Sequence, residues 1–548
     1  MSSLRTTLSR RVIGAVSGVL SGCTALTVAG AVASLVRPRT GPVTVVGGAA
    51  IDRTPAPVKD FAVRTFGEDD KLVLQLGILA VLGVLAVALG LLALRHRRAG
   101  CVAVLLLGAV GAAAALSRPD ARGAADALPS VAGALAGAVV LYVLAGKLTP
   151  AAAPREAPYD VPTEAEAEAE AEAEAEAEAE AGGGWSRRGF LAAASVTVVA
   201  AAGAGALGRG LTGRRGRGAA ASRAAVVLPA AASPAAPVPA GAQLEVAGIG
   251  PFTTPNGDFY RVDTALVVPA VDAATWRLRI RGTGVGRPRT YTFGELLERP
   301  LIERDITLTC VSNEVGGPYT GHARWLGVPL AGLLRECGVR PPSQGGRADQ
   351  LVARSVDGMT LGSPVEEVMD GRDAMLAVGM NGEPLPFDHG FPVRMLVPGL
   401  YGYVSACKWI EDLELTTFDR YDPYWVKRGW ARKAPVKTQA RIDTPKPFAR
   451  PAAGKVTVAG VAWAQHRGIT RVEVRVDDGP WQDADLAVQA TTDTWRQWAF
   501  AWEAAPGGHT LTVRATDGTG AVQAEERART VPDGASGRHS VFVTAEQP

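Results

Sequence analysis

Residues 304–317 read Arg-Asp-Ile-Thr-Leu-Thr-Cys-Val-Ser-Asn-Glu-Val-Gly-Gly and change character half-way. Arg304 to Cys310 alternates polar and apolar side chains, the two-residue period of a half-buried strand. Val311 to Pro318 is turn chemistry, with Ser, Asn, Gly and Pro in succession. Cys310 therefore sits at a strand end facing a loop, where side chains tend to carry function. Position alone leaves it open between a buried thiol and a ligand. Cys337 reads differently, because Leu330, Leu333, Leu334 and Cys337 recur at helical spacing before a terminating Gly338, which makes it a core-facing residue.

Around this stretch, residues 241–445 mix charged and aromatic residues with short strands, short helices and Gly/Pro turns, the pattern of a packed α+β domain. From about Pro451 the pattern is all-β. Lys455–Trp463, Thr470–Val476, Trp495–Trp502 and His509–Ala515 alternate, with turns at Asp478-Gly479 and Asp517-Gly518. Residues 446–548 thus form a second soluble domain. Its Trp463, Trp481, Trp495, Trp498 and Trp502 are expected as core or interface anchors.

Upstream, uncharged runs cover Val12–Val36, Leu72–Leu94, Ala99–Leu116, Ala127–Gly146 and Gly189–Gly208, each near the twenty or so residues that span a bilayer. The first four place transmembrane helices in residues 1–148; the third and fourth runs are rich in Ala and Gly. Residues 149–188 form a linker, in which Glu164–Ala181 is a strict Glu-Ala alternation without a lysine to relieve its repulsion, hence a solvated spacer. Ser186-Arg187-Arg188-Gly189-Phe190-Leu191 looks like a twin-arginine export signal leading into the fifth run, 189–208. Residues 209–240 read as an Ala/Pro-rich tether. With five spans and the Arg5, Arg10, Arg11 end inside, parity places everything after Gly208 outside the cell membrane.

Composition excludes several classes. The 548-residue chain has a net charge of +3 and no basic cluster interleaved with aromatics, which argues against nucleic acid. Five cysteines without a CxxC pair give neither a disulfide framework nor a zinc site, and Cys23 and Cys101 lie inside apolar runs. Of six histidines only His96 is near a span, so no intrinsic b-haem is expected. The spans lack the charged residues that line ion paths, which disfavours a transporter.

The run from Asp258 to Val543 resembles the molybdenum-cofactor and dimerisation domains of the sulfite oxidase family. The resemblance rests on FYRVDTALVVP (259–269), ITLTCVSNEVGG (306–317), ARWLGVPLAGLL (323–334), MNGEPLPFDHGFPVRMLVPGLYG (380–402) and CKW (407–409). It implies an α+β molybdopterin domain, a C-terminal immunoglobulin-like sandwich, a homodimer, and molybdenum held by a pterin dithiolene and one protein thiolate, Cys310. It also implies cofactor contacts from Tyr260, Arg261 and Thr264, from Asp357, from His389 and Arg394, and from the turn Ala406, Cys407 and Lys408. Taken singly these residues could be a turn cap, a salt bridge or a surface imidazole; as an ordered set they match the family. The implied activity is two-electron oxygen-atom transfer with a separate redox partner or quinone. A non-catalytic membrane scaffold or sensor retaining the fold is the competing reading, and loss of Cys310, His389 or Arg394 would have favoured it.

The departures bear on substrate. Glu314 and Val315 stand where sulfite-oxidising members carry an arginine pair, Asp357–Leu361 lacks their active-site tyrosine, and Val262 and Thr264 replace an arginine and a histidine, with Arg261 adjacent. A carboxylate in place of a cation repels a small dianion. The expected substrate is a neutral or cationic sulfur or nitrogen oxo compound such as a sulfoxide or N-oxide, with sulfite itself the alternative.

Overall fold

The computed structural model describes residues 2–55, 58, 61, 65, 66, 70–118, 121–147 and 187–547. The Glu-Ala alternation and Ser186 lie outside these. The chain divides into two compact units, Met1–Gly216 and Arg217–Pro548.

The first unit is helical: α1 (Ser2–Val36), α2 (Pro42–Arg53), α3 (Asp70–Arg95), α4 (Arg97–Leu116), α5 (Leu128–Gly146) and α6, which starts at Arg187. Within α1, α3, α4, α5 and α6 lie stretches long and apolar enough to cross a membrane. The Ala/Gly-rich runs form full-length helices, and their small residues let neighbouring helix backbones approach closely. A Cβ on Gly18 would lie 1.9 Å from the Ala86 carbonyl oxygen, and one on Gly90 2.1 Å from that of Gly14. Ser21 Oγ donates to the Gly137 carbonyl at 2.7 Å, tying α1 to α5. The short helix α2, with Val45 packed on Ala114 and Ala115, has no counterpart in the sequence reading, since its run is too brief to register as a span.

One boundary moves. Helix α6 continues through Ala224, so the first half of the stretch expected as a tether is helical. Its Ala, Arg and Leu content favours helix, and the first proline comes only at Pro229. The second half is not loose either: Val226, Leu228 and Ala231 pack on the core of the second unit, and Ser233 bridges Ile302.

The second unit holds two sheets in its α+β part. In chain order the strands are β1 (Arg277–Gly282), β2 (Arg289–Thr292), β3 (Ile302–Thr309), β4 (Thr320–Pro329), β5 (Gln350–Ser355), β6 (Thr360–Pro364), β7 (Met375–Met380), β8 (Glu383–Pro384), β9 (Arg394–Leu396) and β10 (Ile410–Thr416). One sheet has the order β2-β1-β10-β5-β6, with β1 and β10 parallel; the other is β3-β4-β7-β8, with β9 on β7. Short helices fill the turns. In α7 (Phe293–Leu297), the Thr292 side chain accepts from Glu295 N–H and the Glu295 carboxylate from Thr292 N–H, a reciprocal cap. Following α8 (Leu330–Glu336), Cys337 is buried in the core, as its spacing predicts.

The C-terminal part is a two-sheet sandwich of β11 (Gln439–Thr444), β12 (Gly454–Trp463), β13 (Ile469–Val476), β14 (Gln482–Asp483), β15 (Asp485–Leu486), β16 (Arg496–Ala504), β17 (Gly507–Asp517) and β18 (His539–Ala545), in orders β11-β12-β16-β15 and β14-β13-β17-β18. Strand β11 precedes the expected start at 446, because it pairs with β12 across the Pro445 turn. Trp463, Trp495, Trp498 and Trp502 are buried; Trp463 and Trp495 belong to the core of the α+β part. Trp481 is not a core residue. It is half-buried, with the guanidinium carbons of Arg514, Arg475 and Arg538 at 4.3, 4.9 and 5.0 Å from its ring centroid.

Candidate active site

Cys310 follows β3 and begins a loop that closes on itself. Its N–H donates to the Tyr319 carbonyl at 3.0 Å, its carbonyl accepts from Asn313 N–H at 3.0 Å, and Asn313 Oδ1 accepts from Tyr319 N–H at 2.8 Å. The thiol is half-buried, 2.9 Å from Ser312 Oγ. Burial pushes its pKa up, while Ser312 and the cation of Lys408 pull it down. Such a thiol is protonated on its own and ionises when a soft metal replaces the proton.

His389 and Arg394 flank the Gly390 turn that leads into β9. His389 Nε2 lies 2.9 Å from the Asn256 carbonyl, which can only accept, so the ring proton is on Nε2. Burial and the neighbouring Arg394 pull this imidazole down to about 4, leaving it neutral. Arg394 is only 6% exposed. Its guanidinium donates to the His389 carbonyl at 3.2 Å and stands 5.1 Å from the Trp325 ring centroid, yet its Nε has no partner. Among the described residues no carboxylate pairs with it, and burial pulls its pKa down to about 10. A buried cation without a counter-ion is costly unless an anion arrives.

Lys408 contrasts with it. Its Nζ donates to Asp263 Oδ2 at 2.8 Å and to the Asp388 carbonyl at 3.0 Å, so its charge is matched inside the protein. Arg261 is matched as well, by Asp263 at 3.1 Å and Asp388 at 2.9 Å. Tyr260 stacks on Phe259, with ring centroids 5.1 Å apart. Burial pushes its phenol far up, with Cys310 adding to that and Arg394 opposing it, so the hydroxyl lies in the field of both. Thr264 is half-buried on the same segment.

The turn 406–408 is pinned by Ala406 N–H to the Gly402 carbonyl at 2.9 Å and by Met395 N–H to the Cys407 carbonyl at 2.8 Å. The Cys407 thiol is buried and pushed far up by that burial, then by Asp357, against the pull of Arg394. Asp357 joins the group only through Cys407; its own Oδ1 accepts from Met359 N–H at 3.2 Å, as a turn cap does. The structure thus brings Tyr260, Cys310, His389, Arg394, Cys407 and Lys408 together, with Arg261 one layer out and Asp357 at the margin. Glu314 is exposed on the Cys310 loop.

Sequence reasoning missed Asp263, Asn256, Ser312 and Tyr319. Asp263 stands in the quoted segment 259–269, and an acid two residues from Arg261 was the only available signal. No group of three or more His, Cys, Asp or Glu side chains suited to a metal occurs among the described residues. A single soft thiol and a buried, unmatched guanidinium, both acting on Tyr260, fit a metal that arrives on an anionic organic cofactor.

Comparison with known proteins agrees. Residues 265–425 match the family described as oxidoreductase molybdopterin binding domain, and residues 439–513 match bacterial Ig domain. The chain is 31% identical to mitochondrial sulfite oxidase of Mus musculus over 288 residues, 45% of this chain and 52% of that one. It is 32% identical to sulfite oxidase of Gallus gallus over 296 residues, 46% of this chain and 62% of that one. The crystal structure of the sulfane dehydrogenase SoxCD from Paracoccus pantotrophus is similar over 53% of this chain and 81% of that one, with 26% identity and a TM-score of 0.46. The chain spans about half the length of mammalian relatives it matches. Cys310, Asp357, His389, Arg394 and Lys408 lie within the matched residues 265–425; Tyr260 to Thr264 lie just before them.

Proposed function

We propose that this chain, a molybdopterin-dependent oxidoreductase of the sulfite oxidase family, is held in the cell membrane by its apolar helices and works on a small oxo compound on the outer side. The unmatched Arg394 guanidinium carries the reading. It is where an anionic group of the cofactor would be received, with His389 fixing the adjoining turn and the 406–408 turn closing the other side. Cys310 would give the protein thiolate. When bound, the cofactor supplies a two-electron centre for oxygen-atom transfer. Tyr260, in the field of both Cys310 and Arg394, has its phenol pushed far up by burial, so it keeps its proton and can only donate or accept a hydrogen bond there. The Lys408–Asp263–Arg261–Asp388 cluster holds the site's edge in place.

The substrate we assign is a neutral or cationic sulfur or nitrogen oxo compound. Selecting a dianion requires uncommitted cations, and Lys408, whose charge acts on Cys310, and Arg261, one layer out, are already paired with carboxylates. Glu314 adds repulsion, screened by its exposure to about 1 kcal/mol or less. Sulfite oxidation is the second reading, favoured by the names of the relatives. Electrons pass to a separate redox partner or a quinone, no intrinsic haem is used, and the protein works as a homodimer in contact with lipid. Metal and pterin analysis of the purified full-length protein tests the assignment, with Cys310→Ser and Arg394→Met beside it. One molybdenum and one pterin per chain, lost in Arg394→Met and kept with a changed metal spectrum in Cys310→Ser, is the expected result; a parent protein free of molybdenum ends the proposal and favours a non-catalytic scaffold.

A further inference from the structure

Strand β3, which delivers Cys310, lies at the edge of its sheet. An uncovered edge leaves backbone donors and acceptors open and its register loosely held. Here the C-terminal sandwich takes them. Thr307 N–H donates to the Asp493 carbonyl at 2.9 Å, and the Thr307 carbonyl accepts from Gln465 Nε2 at 2.9 Å. Gln465 Nε2 also reaches Thr309 Oγ1 at 3.0 Å, and Trp495 N–H donates to Thr307 Oγ1 at 2.8 Å.

The loop beyond Cys310 is gripped by the same domain. Arg441 of β11 donates from Nη1 to the Gly317 carbonyl at 3.0 Å, while its Nε is held by Asp443 at 2.7 Å, so the fork is aimed before it binds. His539 of β18 accepts from Ile442 N–H at its Nδ1, 3.0 Å away, which fixes the proton on Nε2 and the ring's orientation. That ring lies against Gly316, where a Cβ would stand 2.2 Å from His539 Cδ2. Gly316 has φ +80°, so a side chain there meets both backbone strain and the imidazole.

We infer that the sandwich sets the position of the Cys310 loop, with Arg441 and His539 as positioning residues for the thiol. Among the described residues neither is hydrogen-bonded to the thiol; they act through Gly316 and Gly317, on the loop that Asn313 and Tyr319 close back onto Cys310. This rests on Cys310 being the metal ligand, as proposed above, but the thiol's placement can be read without metal.

The experiment uses the full-length chain in detergent, with Arg441→Gln, Arg441→Lys and His539→Gln. Two readouts are taken beside thermal unfolding: the rate at which iodoacetamide modifies Cys310 in cofactor-free protein, followed by peptide mass spectrometry, and the paramagnetic resonance signal of the molybdenum in loaded protein. In Arg441→Gln and His539→Gln, Cys310 should be modified at least about fivefold faster, as for a locally opened loop, and the signal should change while global unfolding does not. Arg441→Lys, which can still donate to the Gly317 carbonyl, should restore most of both. Rates and signals within about twofold of the parent in both glutamine variants overturn the inference. If Arg441→Gln does not fold, His539→Gln decides by the same readouts. A Cys310→Ser control separates the two claims: an unchanged metal signal there sinks the ligand assignment, while the alkylation rates still judge the sandwich's role.

Discussion

Replacing Arg394 by methionine should stabilise the cofactor-free chain, the reverse of what removing a buried arginine ordinarily does. Burial lowers its pKa from 12.5 to about 10, and each tenfold change in proton affinity corresponds to about 1.4 kcal/mol, so the charged form bears a penalty of roughly 3 kcal/mol. The sign follows from linkage: the unfolded chain holds this proton more tightly than the folded one, so the penalty is fully present below pH 10 and relieved only above it. Against it stand the hydrogen bond to the His389 carbonyl and the contact with Trp325, each worth about 1 kcal/mol. The net expectation is a gain of about 1 kcal/mol for Arg394→Met, whereas breaking a matched buried pair costs about 3 to 5 kcal/mol. Urea unfolding of the cofactor-free protein in detergent, followed by tryptophan fluorescence, measures it. A loss of more than about 2 kcal/mol would refute the reasoning, because it would mean that the guanidinium is already matched without a ligand.

Acid should destabilise the second unit over a defined window. His322 and His389 are buried and His539 is half-buried, and all three are lowered to about 4, so between pH 6.5 and 4 the unfolded chain takes up protons that the folded chain refuses; stability is full above 6.5 and falls through that range, measurable by urea midpoints against pH. Cys310→Ser should abolish activity and change the metal's ligand field with the fold intact, while Cys337→Ser should keep the metal centre and lose about 1 to 3 kcal/mol of stability for a hydroxyl in an apolar core; equal metal spectra in the parent and Cys310→Ser would show the ligand assignment to be wrong. In steady-state assays sulfoxides or N-oxides should turn over better than sulfite, and Glu314→Arg should raise whatever sulfite activity exists; sulfite turnover with a micromolar Michaelis constant would settle for the alternative substrate.

What was legible in the sequence was what periodicity and punctuation encode. The period-two run ending at Cys310 gave β3 and its loop, but not its burial: Asp305 to Thr309 are buried on both faces rather than half-buried, because the C-terminal sandwich covers the side that alternation assigns to solvent. The helical spacing of Leu330 to Cys337 gave α8, and the alternating runs after Pro451 gave the sandwich. The end of α6 was not legible, since hydropathy stops near Gly208 while helix propensity continues to Ala224. Trp481 reads as a core or interface anchor from its residue type; the fold leaves it half-buried outside the core, with the guanidinium groups of Arg475, Arg514 and Arg538 over its ring. Asp263 was missed because its partner Lys408 lies 145 residues away and only tertiary closure brings them together.

The same distinction governs how far the candidate site could be read at all. Sequence presents Arg261, Arg394 and Lys408 as three equivalent cations near a cysteine. A cation signals a ligand only when the protein leaves it unmatched, and matching is a property of the folded chain. Asp263 and Asp388 take up Lys408 and Arg261, which turns those two into supports for the segment 259–264 and the turn at 406–408. Arg394 is left buried, with an unpartnered Nε and a neutral imidazole beside it. Had Asp263 reached Arg394 instead, the same residues would form a closed ion-pair network with no need of an anion. The site's claim to a cofactor therefore rests less on which cationic residues are present than on which of them Asp263 and Asp388 do not reach.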